Sequence, residues 1–235
     1  MKIMVINPNT SDSMTEKIRE ELGRVKRSDT ELVVVQAEHG PETIESAYDE
    51  ALCVPSTLEW VKRANGEGYD AVIIDCFSDP GLEAAKEISS IPVVGIQESS
   101  LHLAAMLGAK FTVITSRKER VPSKREHVFK KGLEHFLASV RCLDLSVAET
   151  DADPERAKKK IFDEVKKAVA EDGAEVIILG CSGMAGYGYD IESKLKVKVL
   201  DPSAVALKVA EAMVDLGMAQ SKTGLFATPP QKRFK

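Results

Sequence analysis

Short apolar runs, each closed by turn-forming residues and followed by a longer stretch with apolar side chains at helical spacing, recur along the whole chain. In the first half the runs are Ile3 to Ile6, Leu32 to Ala37, Val72 to Ile74 and Ile91 to Val94. In the second they are Phe111 to Ile114, Leu143 to Ala148, Val176 to Leu179 and Val197 to Leu200. Runs of this length and composition read as buried strands, and the stretches between them read as helices. The longer helices are predicted at Pro41 to Arg63, Pro154 to Ala170 and Ser203 to Leu216.

The order strand, helix, strand, helix therefore runs through the chain twice over. Lys2-Ile3-Met4-Val5-Ile6 is echoed 108 positions later by Lys110-Phe111-Thr112-Val113-Ile114, and Val72-Ile73-Ile74-Asp75-Cys76 by Val176-Ile177-Ile178-Leu179-Gly180-Cys181. Matched order at a fixed offset is the signature of an internal repeat. Strands alternating with helices form parallel sheets with helices on their faces. The predicted fold is thus α/β: two similar lobes, each a largely parallel sheet flanked by helices. The repeat restarts after Gln97 and ends at Asp201. Residues 1–98 with 201–235 are expected to form the first lobe, the closing helix returning to it, and residues 99–200 the second.

Cys76 and Cys181 close equivalent strands, 105 positions apart. The turn Cys76-Phe77-Ser78-Asp79-Pro80-Gly81 leads into a helix at Leu82 to Ile88, with Asp79 as its expected N-cap and Pro80 at its first position. Cys181-Ser182-Gly183-Met184 does the same with small residues that let a ligand approach the backbone. Ligands of open α/β sheets collect outside the carboxyl ends of the strands. Both thiols are expected there, beside backbone N–H groups that stabilise a thiolate or an anion. Asn7-Pro8-Asn9-Thr10-Ser11 ends the first strand, and its polar side chains either contact substrate or cap the next helix. Thr115-Ser116-Arg117 is the corresponding segment of the second half; Arg117 opens a basic stretch and reads as a surface residue.

Composition narrows the field. Acidic residues number 37 against 32 basic, a net charge of −5, which gives no electrostatic basis for binding nucleic acid or an anionic membrane. No signal peptide or membrane-spanning stretch is evident, so a cytoplasmic protein is expected. The four cysteines form no C-x-x-C pair and have no histidine at ligand spacing, so neither a disulfide framework nor a zinc site is expected. Cys53, in a predicted helix, and Cys142, in a predicted strand, read as small buried hydrophobes. Gly186-Tyr187-Gly188 lacks the third glycine of a dinucleotide fingerprint. A cysteine with a histidine base would leave the second matched thiol without a role.

Two facing thiols suit inversion of a carbon acid, one removing a proton and the other returning one on the opposite face. A thiol's reference pKa of about 8.5 allows one group to start as thiolate and the other as thiol. The N–H groups around Phe77-Ser78 and Ser182-Gly183 are placed to stabilise the intervening anion. No metal or organic cofactor is expected.

Asn7-Pro8-Asn9-Thr10, Cys76-Phe77-Ser78-Asp79-Pro80-Gly81-Leu82 and Gly180-Cys181-Ser182-Gly183-Met184 resemble the signature segments of the hydantoin racemases, within the aspartate/glutamate/hydantoin racemase superfamily. The likeness continues through Phe111 to Thr115, Val121-Pro122, Gly132-Leu133 and Ser139-Val140-Arg141 to Ser221-Lys222-Thr223-Gly224, covering nearly the whole chain. It implies two α/β lobes related by a pseudo-twofold with the active site in the cleft between them, cofactor-independent racemisation of a small molecule, frequent homo-oligomerisation, and Cys76 and Cys181 as the catalytic pair. Asn7, Asn9, Phe77, Ser78, Thr115, Ser116, Ser182 and Gly183 are then the expected substrate-binding residues. Ser78, Ser182 and Gln97-Glu98-Ser99-Ser100 stand where relatives carry smaller or more apolar residues, which points to a polar substrate. The expected activity is racemisation of 5-monosubstituted hydantoins. The alternatives are racemisation of allantoin or of aspartate or glutamate, decarboxylation on the same scaffold, or non-catalytic binding of a small metabolite.

Overall fold

The computed structural model describes residues 1–180, 184 and 187–230. The first half forms β1 (Lys2–Asn7), α1 (Asp12–Val25), β2 (Glu31–Gln36), α2 (Ala47–Gly66), β3 (Ala71–Ile74), α3 (Leu82–Ile88), β4 (Val93–Gly95) and α4 (Ile96–Leu107). The second forms β5 (Phe111–Thr115), α5 (Val121–Lys130), β6 (Leu137–Cys142), α6 (Val147–Ala152), α7 (Pro154–Asp172), β7 (Val176–Leu179), α8 (Gly188–Leu195), β8 (Lys198–Leu200) and α9 (Pro202–Asp215). Each half makes a four-stranded parallel sheet, in the orders β2-β1-β3-β4 and β6-β5-β7-β8. The two orders are the same topology repeated.

Position in the sheet explains the sequence of each strand. β3 and β7 have neighbours on both sides and helices on both faces, and all their residues are buried, so they are apolar throughout. The edge strands β2 and β6 are only partly buried and tolerate Glu31, Gln36, Ser139 and Arg141. One apolar cluster runs from Val5 and Ile73 of the first sheet to Val113 and Ile178 of the second, through Leu101 of α4 and Leu207 of α9. The sheets therefore share a core, while Ile6, Val72 and Leu82 anchor a separate cluster on the outer face of the first. α9 packs on α4, β3, α1 and β4, and α4 also touches β7. No helix among the described residues is long and apolar enough to cross a membrane.

Two expectations are corrected. The strand paired with β5 is Leu137–Cys142, upstream of the run Leu143 to Ala148. Leu143 and Leu145 are apolar because they enter the second lobe's core beyond the strand's end, where their N–H groups bond Thr115 O and Ser116 O at 3.0 and 3.1 Å. Asp79 does not cap α3, whose N-cap is Gly81 in the left-handed region. Its carboxylate instead accepts from the N–H groups of Gln97 and Glu98 at 3.0 and 2.7 Å, at the start of α4. Gly95 admits this: a Cβ there would lie 2.4 Å from the Asp79 carboxylate.

Candidate active site

Sheets of order 2-1-3-4 reverse direction between their first and third strands, and a crevice opens at the carboxyl ends of that pair. In the first lobe these ends are Asn7 of β1, paired beside β3, and the Asp75-Cys76 segment. In the second they are Thr115 of β5 and, beside it, Gly180 after β7. The two crevices open into one pocket, lined by Asn9, Cys76, Phe77 and Ser78 from one lobe and by Thr115, Ser116 and Gly180 from the other.

The two halves meet closely where the cysteine loops begin. A Cβ on Gly180 would sit 2.8 Å from Ile114 O and 3.2 Å from Cδ1 of Phe77. Only glycine lets Phe77, which follows Cys76, lie against the backbone that leads into Cys181. Cys181, Ser182 and Gly183 themselves lie outside the described residues.

Cys76 sits at the pocket with its Sγ 3.4 Å from the hydroxyl of Ser78. Burial pushes its thiol up to about 11, opposed by the Ser78 hydroxyl, by Lys124 and by the backbone of Ser78. The group is held as a thiol, a proton donor, at neutral pH. Its neighbour Asp75 is 1% exposed; one carboxyl oxygen accepts from Ser203 at 3.0 Å and the other has no partner among the described residues. Burial pushes this carboxyl up to about 7, so it carries a proton at mildly acid pH.

The expected binding residues divide. Asn9, Phe77, Ser78, Thr115 and Ser116 line the pocket. The Asn7 amide is turned away: it donates to Asn9 Oδ1 at 2.8 Å and Thr15 Oγ1 at 2.9 Å, holding the loop ahead of α1. Ser11 is the N-cap of that helix, its hydroxyl accepting from Met14 N. The 97–100 segment also leaves the pocket. Gln97 Nε2 donates to Phe77 O at 2.9 Å, Ser99 and Ser100 bond back to Gly95 O and Ile96 O, and Glu98 pairs with Lys131 at 2.7 Å and with Lys86. Arg117 is a surface residue 3.7 Å from Glu119.

Several lining residues are not foreseen. Thr43, Ile44 and Glu45 come from the β2–α2 loop, and Glu50 from α2 pairs with Arg120 across the lobes. Lys124 on α5 is 5% exposed and donates to Phe77 O. Arg120, just ahead of α5, and Lys124 lie four residues apart, but nothing in the basic stretch from Arg117 to Lys131 sets them apart from surface charges.

Two duplicated parallel sheets meeting at a polar pocket beside a cysteine are the frame of a racemase fold. The family described as Asp/Glu/Hydantoin racemase matches residues 3–210, and the chain belongs to it. A hydantoin racemase of a Pseudomonas species is 42% identical over all of this chain and 94% of its own length. A hydantoin racemase of Paenarthrobacter aurescens is 37% identical with both chains fully covered. The solved allantoin racemase of Klebsiella pneumoniae superposes with a TM-score of 0.96 at 35% identity, over 100% of this chain and 96% of that one. The chain is an isomerase of the racemase class.

Proposed function

We propose that the chain racemises 5-monosubstituted hydantoins by passing a proton through two thiols, Cys76 and Cys181, without a cofactor. The observation that carries this reading is the seat of Cys76 at the joint crevice, with Phe77 packed against Gly180 immediately before the second cysteine. C5 of a hydantoin lies between a carbonyl and a ring nitrogen, so its hydrogen is acidic and the anion left by its removal is an enolate. In the resting enzyme the proton sits on Cys76, and Cys181 acts as base on the enantiomer whose hydrogen it faces. Cys76 then protonates the opposite face and is left as thiolate. The mirror enantiomer runs the same steps in reverse.

The pocket supports a polar member of this substrate class. Thr43, Glu45, Ser78, Thr115 and Ser116 supply hydroxyl and carboxylate groups, and the Glu50–Arg120 pair adds both charges. Allantoin is a hydantoin whose C5 substituent is a ureido group, and such a lining supplies donors and acceptors for it. Allantoin is therefore the second reading within the same chemistry. The lobes of this reading are residues 1–98 with 201–235, and 99–200.

Polarimetry on enantiopure hydantoins with apolar, polar and ureido substituents tests the assignment. The optical rotation should decay well above the uncatalysed rate for at least one of them. Decay at the uncatalysed rate for all of them, with aspartate or glutamate racemised instead, would overturn it.

A further inference from the structure

Lys124 is a buried cation that pairs with no carboxylate among the described residues. Burial holds its ammonium below the usual lysine range, and burying an amine without a paired carboxylate is unfavourable for the fold. Glu50, which faces it from α2, is already paired with Arg120. The Lys124 ammonium donates to Phe77 O and lies 5.3 Å from the centre of the Phe77 ring.

That carbonyl also accepts from Gln97 Nε2 at 2.9 Å. Two donors therefore fix one end of the Phe77–Ser78 peptide. The other end belongs to Ser78, whose hydroxyl lies 3.4 Å from the Cys76 sulfur and whose backbone and hydroxyl both favour the ionised form. Donors on a carbonyl polarise the peptide and strengthen its N–H as a donor. A hydrogen bond to a thiolate, with a cation nearby, favours the ionised sulfur.

We propose that Lys124 is a positioning residue for proton transfer, clamping the Phe77–Ser78 peptide and setting a positive charge beside the pocket so that the Cys76 thiolate becomes accessible during turnover. The inference rests on the reading that Cys76 carries a proton in the reaction. The other groups facing this pair act less directly. Glu50 and Cys53 approach Cys76 from α2, and Glu50 opposes the thiolate while its charge is offset by Arg120. Asp79 and Arg120 face Lys124 from the β3–α3 turn and from just ahead of α5. His127, pushed down to about 4 chiefly by burial, is neutral at working pH.

The test is the pH profile of alkylation at Cys76, read on its own peptide by mass spectrometry, in the wild type and in Lys124→Met, Lys124→Gln and Lys124→Arg. Circular dichroism selects the natively folded variants. In Lys124→Met the profile should move up by about one pH unit or more, so that Cys76 alkylates about tenfold more slowly below it, with kcat reduced and KM little changed. If the methionine variant does not fold, the neutral but polar Lys124→Gln, which also removes the charge, is read in its place with the same expectation. Lys124→Arg, which keeps the charge, should stay nearer the wild type. A profile unchanged within about twofold in a folded neutral variant would overturn the proposal. Full racemisation by Cys76→Ser would instead overturn the reading on which it rests, without altering the alkylation result.

Discussion

Asp75 gives the fold a pH dependence that one oxygen-to-nitrogen substitution should remove. Its carboxyl is 1% exposed, bonded to Ser203 at 3.0 Å through one oxygen, with the second oxygen unpartnered among the described residues. Burial, aided by the charges of Asp201 and Asp79 and opposed by Ser203, raises the group from 3.8 to about 7. Between those values the folded protein holds a proton that the unfolded chain has released, so stability falls as pH rises and levels off above the upper value. At about 1.4 kcal/mol per decade, the whole span amounts to about 4 kcal/mol, of which about 3 kcal/mol lies between pH 5 and pH 8. Asp75→Asn keeps the shape and the acceptor for Ser203 but never ionises. Urea unfolding of wild type and variant at pH 5 and pH 8 measures the effect. The variant should gain about 3 kcal/mol on the wild type over that interval. Parallel stability curves would refute the argument that burial holds this carboxyl above its unfolded value.

Two further substitutions probe the scaffold of the site. Asp79→Ala removes the acceptor for two N–H groups at the start of α4 and should cost about 2 kcal/mol in urea unfolding, with faster amide exchange at Gln97 and Glu98. Gly180→Ala forces a Cβ to within 2.8 Å of the Ile114 carbonyl oxygen and of Val113, and should cost about 1 to 3 kcal/mol. Because the same backbone leads into Cys181, its racemase activity should fall further than that loss of stability explains.

The fold was legible because its strongest signals are periodic. Buried strands such as Ile73-Ile74 and Ile177-Ile178 have to be apolar on both faces, and the repeat sets their order. The edge strand Leu137–Cys142 was harder to place, since partial burial leaves Ser139 and Arg141 in it while the apolar residues just beyond it belong to a core reached after the strand ends. Loop chemistry was legible only as far as it is local. Ser11 caps the helix that follows it, but Asp79 caps a helix that starts 17 residues later, beyond the reach of any local rule. The cysteine turn and Thr115-Ser116 could be read from strand ends. Lys124, Glu50 and Arg120 could not, because a buried charge on a helix looks like a surface charge until the opposite lobe is in place.

The central claim is that one proton site has two faces, Cys76 and Cys181. It is tested most directly by following loss of the C5 hydrogen of each enantiomer of a turned-over hydantoin in deuterated water, by proton NMR, with Cys76→Ser and with Cys181→Ser. The account predicts that neither variant racemises, and that each still exchanges the hydrogen of one enantiomer above the uncatalysed rate, the two variants choosing opposite enantiomers. Wild-type racemisation by either variant, or exchange of the same enantiomer by both, would contradict it.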